Sequence, residues 1–87
     1  MLLRLRDGRL CLTYGYRAEP FSIRARLSSD NGKTWGEIVT VRGAGAAWDL
    51  GYPRSVERRD GKIATMYYFN DGPHKERFIA ATVWDPR

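Results

Sequence analysis

The chain contains a single cysteine, Cys11, among 87 residues. No intrachain disulfide can form, and the redox compartment is left open. Cys11 lies inside an alternating run and reads as a small core residue. Histidine is equally scarce: His74 stands alone in a loop context. No cluster of His, Cys and carboxylates has metal-ligand spacing, and no glycine loop is built to cradle phosphate. Neither a metal nor a cofactor is expected. No apolar run is long enough to span a membrane, so no membrane partner is expected. Met1-Leu2-Leu3-Arg4 is too short for a signal peptide. The opening residues already read as strand, which implies an upstream portion.

Lysine is also sparse, with 3 Lys against 12 Arg, yet the net charge is +5. Arginine favours planar, bidentate contact with carboxylates and phosphates, so an anionic partner fits. The arginines are spread along strands without a basic cluster or RNA-binding motif, which argues against nucleic acid. Hydrophobic content of 43% and aromatic content of 13% indicate a packed domain rather than disorder.

The hydrophobic pattern is of period two throughout, with no helix of useful length. Leu2 to Arg6 alternates and is followed by the turn Asp7-Gly8. Arg9 to Tyr16 puts Leu10, Leu12, Tyr14 and Tyr16 on one face. Arg17-Ala18-Glu19-Pro20 breaks the run. Ser22 to Leu27 follows, with Ile23, Ala25 and Leu27 on one face and Arg24 and Arg26 on the other, where they cover the sheet. A turn at residues 28–35 leads into Glu37 to Arg42, completing a four-stranded antiparallel meander.

Gly43 to Gly51 is a connection rich in small residues. A second set runs from Ser55 to Arg59, Lys62 to Phe69 and Glu76 to Trp84, separated by Asp60-Gly61 and by the loop Asn70 to Lys75. Arg6-Asp7-Gly8-Arg9-Leu10 matches Arg59-Asp60-Gly61-Lys62-Ile63. Tyr14 then falls at the position of Tyr67, and Ile23-x-Ala25 at that of Ile79-x-Ala81. The second copy lacks a fourth strand. The expected division is residues 1–42, a connection at 43–51, and a partial repeat at 52–87.

The turn Ser28-Ser29-Asp30-Asn31-Gly32-Lys33-Thr34-Trp35 has specific chemistry. Asp30 and Asn31 can accept backbone N–H bonds, Gly32 can take positive φ, and Trp35 can anchor the turn on a core. Ser28, Asp30, Gly32, Thr34 and Trp35 reproduce the pattern Ser-x-Asp-x-Gly-x-Thr-Trp, which resembles the Asp-box of sialidases and related β-propellers. Tyr14-Gly15-Tyr16-Arg17, Ile23-Arg24-Ala25, Trp48-Asp49-Leu50-Gly51-Tyr52-Pro53, Tyr67-Tyr68 and Ile79-Ala80-Ala81-Thr82 extend the resemblance over nearly the whole chain. It is similar to the C-terminal part of a six-bladed propeller of the sialidase (neuraminidase) superfamily. The resemblance implies an all-β fold of about two blades, since a four-stranded blade takes roughly 40 to 50 residues.

The same resemblance implies a site. The family clamps a sialoside carboxylate with an arginine triad, attacks with a tyrosine activated by a glutamate, and uses an aspartate as acid/base. Arg17 matches the last triad arginine and Tyr52 the nucleophile. Trp48 and Asp49 stand beside them as substrate-binding candidates, and for Asp49 a plain turn role is the competing reading. The remaining members belong to earlier blades, so the chain alone is expected to be inactive. Successive turns alternate between two faces, which puts the Asp-box with Asp7-Gly8 and Asp60-Gly61, and Arg17 with the connection at Trp48 to Pro53. Tyr67, Tyr68 and Phe69 read as core. The alternative is a noncatalytic Asp-box module that completes a ring with other copies and binds glycan or protein. Expected partners are thus an anionic glycan, and upstream blades or further copies of the chain.

Overall fold

The computed structural model of the chain describes residues 1–72 and 76–87. The loop histidine His74 and the end of its loop lie outside the described residues. The fold is all-β. Seven strands form in the order β1 (Leu2–Arg4), β2 (Leu10–Tyr16), β3 (Ser22–Ser28), β4 (Val39–Arg42), β5 (Gly51–Glu57), β6 (Ile63–Phe69) and β7 (Phe78–Trp84). They make a four-stranded sheet, β1-β2-β3-β4, and a three-stranded sheet, β5-β6-β7, each antiparallel between neighbours and neither closed.

The two Asp-Gly turns have one geometry. In the first, the Gly8 N–H donates to the Leu5 carbonyl at 2.9 Å and the Leu5 N–H to the Arg9 carbonyl at 2.8 Å. In the second, Gly61 donates to Arg58 at 3.1 Å and Arg58 to Lys62 at 2.8 Å. Gly8 and Gly61 carry φ of 96° and 85°, the left-handed position of a three-residue hairpin loop with a glycine bulge. β1 is therefore shorter than the sequence pattern predicts, ending at Arg4 because Arg6 already belongs to the turn.

The other strand limits shift for local reasons. β4 begins at Val39 rather than Glu37. The Arg26 side chain takes the carbonyls ahead of it, donating from Nε to Gly36 at 2.8 Å and from Nη2 to Trp35 at 3.4 Å. β5 begins at Gly51 rather than Ser55, with Pro53 inside it and a register irregularity between Gly51 and Arg54. β5 is an edge strand of its sheet, where a missing N–H is tolerated.

The sheets pack face to face. One core cluster joins Ile23, Ala25 and Val41 of the first sheet to Leu50, Tyr67 and Phe69. A second joins Leu5 and Cys11 to Ile63. The inward face of β2 is set by Cys11 and Thr13, both fully buried, and not by the more apolar Leu10, Leu12, Tyr14, Tyr16 set on the other face, where Leu10 is buried against the 28–35 turn and the others are part-exposed. Size decides this: small side chains at Cys11 and Thr13 let β2 lie against β5. Burial pushes the Cys11 thiol up to about 11.

A row of hydroxyls crosses this contact. Ser55 Oγ bonds Thr13 Oγ1 at 3.2 Å and Thr65 Oγ1 at 2.9 Å, and Trp84 Nε1 donates to Thr65 Oγ1 at 2.9 Å. Among the described residues, no buried side-chain polar atom lacks a partner.

Candidate functional site

The turns at the two ends of the sheets differ in kind. At one end lie the two Asp-Gly turns and the Asp-box. Arg4 ties the first turn to the Asp-box, donating to the Gly8 carbonyl at 2.9 Å and to Asn31 Oδ1 at 2.7 Å. Arg6 ties it to the second sheet, with its N–H donating to Glu57 Oε1 at 2.8 Å and Nη2 to the Arg58 carbonyl at 2.5 Å.

The turn at residues 28–35 is a closed hydrogen-bonded unit. Ser28 Oγ donates to Asp30 Oδ1 at 2.8 Å and accepts from the Gly32 N–H at 2.8 Å. Asp30 accepts the Thr34 N–H at 2.8 Å and the Thr34 hydroxyl. Asn31 and Gly32 take φ of 65° and 89°. Trp35 is half-buried beneath the turn. The Thr34 hydroxyl and N–H, then Ser28, hold the Asp30 carboxyl down at about 2. Both of its oxygens are engaged inside the turn, so the turn is a clasp on the scaffold.

The other end assembles a side-chain cluster. β2 and the start of β5 approach so closely there that a Cβ on Gly15 would lie 2.8 Å from Gly51 Cα. Arg17, just beyond β2, reaches across and donates from Nε to the Leu50 carbonyl at 3.0 Å. Gly51 has φ of 136° and Tyr52 has φ of 45°, a backbone state uncommon for a bulky residue. Such strain concentrates where a side chain must be aimed. Here it presents Tyr52 to solvent at 74% exposure.

The cluster is continuous. Arg77 Nε donates to Asp49 Oδ2. The Tyr68 hydroxyl donates to Asp49 Oδ1 at 2.9 Å, and Arg17 Nη2 donates to the Tyr68 hydroxyl at 3.2 Å. The Tyr52 ring stacks on Tyr68 with centroids 5.5 Å apart and planes 25° apart. The Arg17 guanidinium carbon lies 5.3 Å from the Tyr52 ring centroid. Asn70, 4% exposed, fixes the connection behind them. Its Oδ1 accepts from Ala46 and Ala47, at 3.1 and 2.7 Å, and its Nδ2 donates to the Asp49 carbonyl at 2.7 Å. A cavity of about 290 Å³ opens beside Tyr52, lined also by Thr13, Tyr14, Gly15, Pro53 and Arg54.

The electrostatics assign protons. The Tyr68 hydroxyl first, then Arg77 and Arg17, hold the Asp49 carboxyl below the usual carboxylate range. Burial, and then Asp49, push the Tyr68 phenol up against the opposing pull of Arg17. Around neutral pH the cluster is therefore an ionised Asp49, a protonated Tyr68 and two guanidinium groups. It carries an excess of positive charge beside an exposed aromatic ring.

Arg17, Asp49 and Tyr52, read from the sequence, come together here. Trp48 does not join them. It is 58% exposed and shares no hydrogen bond or ring contact with the cluster. Tyr68 and Arg77 were not read from the sequence as site residues. Tyr67 and Phe69 are core as expected, but Tyr68 points to the opposite face of β6 and joins the site. The repeat holds its signal: Gly15 opposite Ile23 occupies the place of Tyr68 opposite Ile79. A glycine traded for a tyrosine at one repeat position marks the site. Arg77 has no such signal. Among the described residues no group of His, Cys, Asp and Glu could hold a metal ion.

No family model and no curated protein matches this chain. A crystal structure of an unknown function protein from Dyadobacter fermentans DSM 18053 is similar to it, with 36% sequence identity and a TM-score of 0.84. The likeness covers 99% of this chain and 24% of that one. The chain thus matches, over nearly all its length, a segment making up less than a quarter of a longer protein of unknown function.

Proposed function

We propose that the two sheets are neighbouring blades of an Asp-box β-propeller, and that the Arg17–Tyr52 cluster binds the carboxylate of an anionic glycan in a sialidase-like glycoside hydrolase. The observation that carries this is the Arg17 guanidinium lying 5.3 Å from the exposed Tyr52 ring. Arginine has five N–H donors, and Nε and one on Nη2 are used on Leu50 and Tyr68. The remaining donors suit a carboxylate through charge-assisted hydrogen bonds. Tyr52 offers a ring face to a sugar and a phenol to its anomeric carbon.

In this reading Tyr52 is the nucleophile, a role that sialidases give to tyrosine in place of a second carboxylate. An anionic substrate favours a neutral phenol over a carboxylate as the attacking group, and the phenol then needs a base. Asp49 is engaged by Tyr68 and Arg77, so its role is to orient Tyr68, which in turn holds Arg17 and stacks beneath Tyr52. The base for Tyr52, the acid/base aspartate and the other triad arginines belong to other blades in this reading. The chain by itself then binds and does not turn over.

The test is an amide chemical-shift titration with N-acetylneuraminic acid and, in parallel, a neutral hexose, together with a fluorogenic sialoside assay. Expected are saturable shifts around Arg17, Tyr52 and Tyr68 with the acid alone, lost in Arg17→Ala, and no turnover. Equal shifts with the neutral sugar, or none with either, refute the glycan reading. Turnover abolished by Tyr52→Phe refutes the inactivity of the isolated chain.

A further inference from the structure

The chain ties its arginines down. Of the 12, Arg54 and Arg59 alone have a guanidinium with no hydrogen bond, ion pair or ring contact among the described residues. Arg59 belongs to the second Asp-Gly turn, at the end away from the cluster. Arg54 stands in β5, two residues after Tyr52.

Tyr52 and Arg54 are exposed along this strand while Pro53 and Ser55 are buried, so both side chains leave the same face. Across the strand pair Met66 lies opposite Arg54, and Tyr68, which stacks on Tyr52, lies opposite Gly51. The cavity of about 290 Å³ is lined by Tyr52 and Arg54 together. A cavity at the small end for ligands takes one sugar-sized group.

No carboxylate competes for Arg54. Among the described residues, it is the charged side chain on the cavity's lining. Glu57, the acid of its own strand, accepts the Arg6 N–H at 2.8 Å. Asp49, the acid of the cluster, is taken by Arg77 and by the Tyr68 hydroxyl. All five N–H donors of Arg54 are thus open to an anion. Arg17 borders the same tyrosine, its guanidinium carbon 5.3 Å from the ring centroid, with donors already spent on Leu50 and Tyr68.

We infer that Arg54 and the cavity it lines form a second anion subsite, and that the ligand is a glycan with two negative groups. Its first carboxylate lies against Arg17, and a further carboxylate or sulfate lies against Arg54, with Tyr52 under the sugar that joins them. The inference rests on the glycan reading of the Arg17–Tyr52 cluster and narrows it to dianionic ligands.

Amide and arginine Nε–Hε shift titrations of the chain test it with three probes: sialyllactose, sialyllactose sulfated on its galactose, and the α2,8-linked dimer of N-acetylneuraminic acid. Wild type is expected to bind at least one of the two dianions roughly fivefold or more tighter than sialyllactose, with the Arg54 Nε–Hε signal moving for that dianion. Whichever is preferred identifies the second group as sulfate or carboxylate. The preference is expected to shrink in high salt and to vanish in Arg54→Gln, while Arg54→Lys keeps part of it. Arg54 is exposed and bonds no other side chain, so its replacement leaves the core untouched. Sialyllactose binding with shifts at Arg17 and Tyr52, but no preference for either dianion, overturns the second subsite and leaves the glycan reading standing. A preference that survives in Arg54→Gln overturns it equally. Failure of all three probes to bind wild type overturns both.

Discussion

Replacing Gly15 with alanine is the sharpest probe of how the scaffold builds its site. The added Cβ would sit 2.8 Å from Gly51 Cα and 3.2 Å from the Leu50 carbonyl oxygen. Both obstacles are backbone, so no rotamer change relieves them. β2 must move off β5 by several tenths of an ångström or more, taking the Arg17 bond to Leu50 and the Tyr52 backbone with it. Overpacking of this kind costs about 1–3 kcal/mol, which in a domain of this size lowers the thermal midpoint by roughly 5–20 °C. Gly43→Ala is the control, because its Cβ would meet only the Thr40 methyl at an ordinary 3.5 Å. Urea unfolding followed by tryptophan fluorescence, with amide shifts of Gly51 and Tyr52, reads both effects. A Gly15→Ala protein as stable as Gly43→Ala, with unshifted Gly51 and Tyr52, would refute the close approach.

Two further outcomes follow from charge. The Asp30 carboxyl is held at about 2 in the folded chain and returns to about 3.9 when unfolded. Its stabilisation is then fully present above the unfolded value and is lost as pH falls through the folded one. The stability gap between wild type and Asp30→Asn should accordingly close between about pH 4 and pH 2 in acid denaturation curves; a gap that stays constant across that range contradicts the Asp-box geometry. Tyr68→Phe removes the largest influence depressing the Asp49 carboxyl, so a carbon-detected titration should find its midpoint raised, and an unchanged midpoint would show that the arginines alone hold it.

Much of the architecture was legible because its signals are local. Asp-Gly at two repeat positions, alternation between them, and the Ser28-x-Asp30-x-Gly32-x-Thr34 spacing determine turns and faces without tertiary context. The alternation of turns was also enough to put Arg17 and Tyr52 at one end. What was hidden depended on pairing. The inward face of β2 could not be read from hydrophobicity, since Leu10, Leu12, Tyr14 and Tyr16 look more like a core than Cys11 and Thr13. β4 starts late because the Arg26 side chain claims the Gly36 carbonyl. Tyr68 sits between two core aromatics, and only its opposite direction on β6 sends it to the site. Arg77 reaches Asp49 from a distant loop, a contact that no spacing announces.

The hydroxyls of Thr13, Ser55 and Thr65, with the Trp84 indole, have a further consequence. Two greasy sheets can slide over one another, since one methyl serves nearly as well as the next. A buried hydroxyl cannot be satisfied by a methyl, and each one orphaned costs about 1–3 kcal/mol. A slide of one sheet over the other by one residue would break the Ser55–Thr13 bond, while the Thr65 and Trp84 bonds within the second sheet hold Ser55 in place to make it. The middle of the molecule thus works as a key with a single setting. The alignment of Arg17 from one sheet with Tyr52 and Tyr68 from the other is decided there, well away from the rim where it is used.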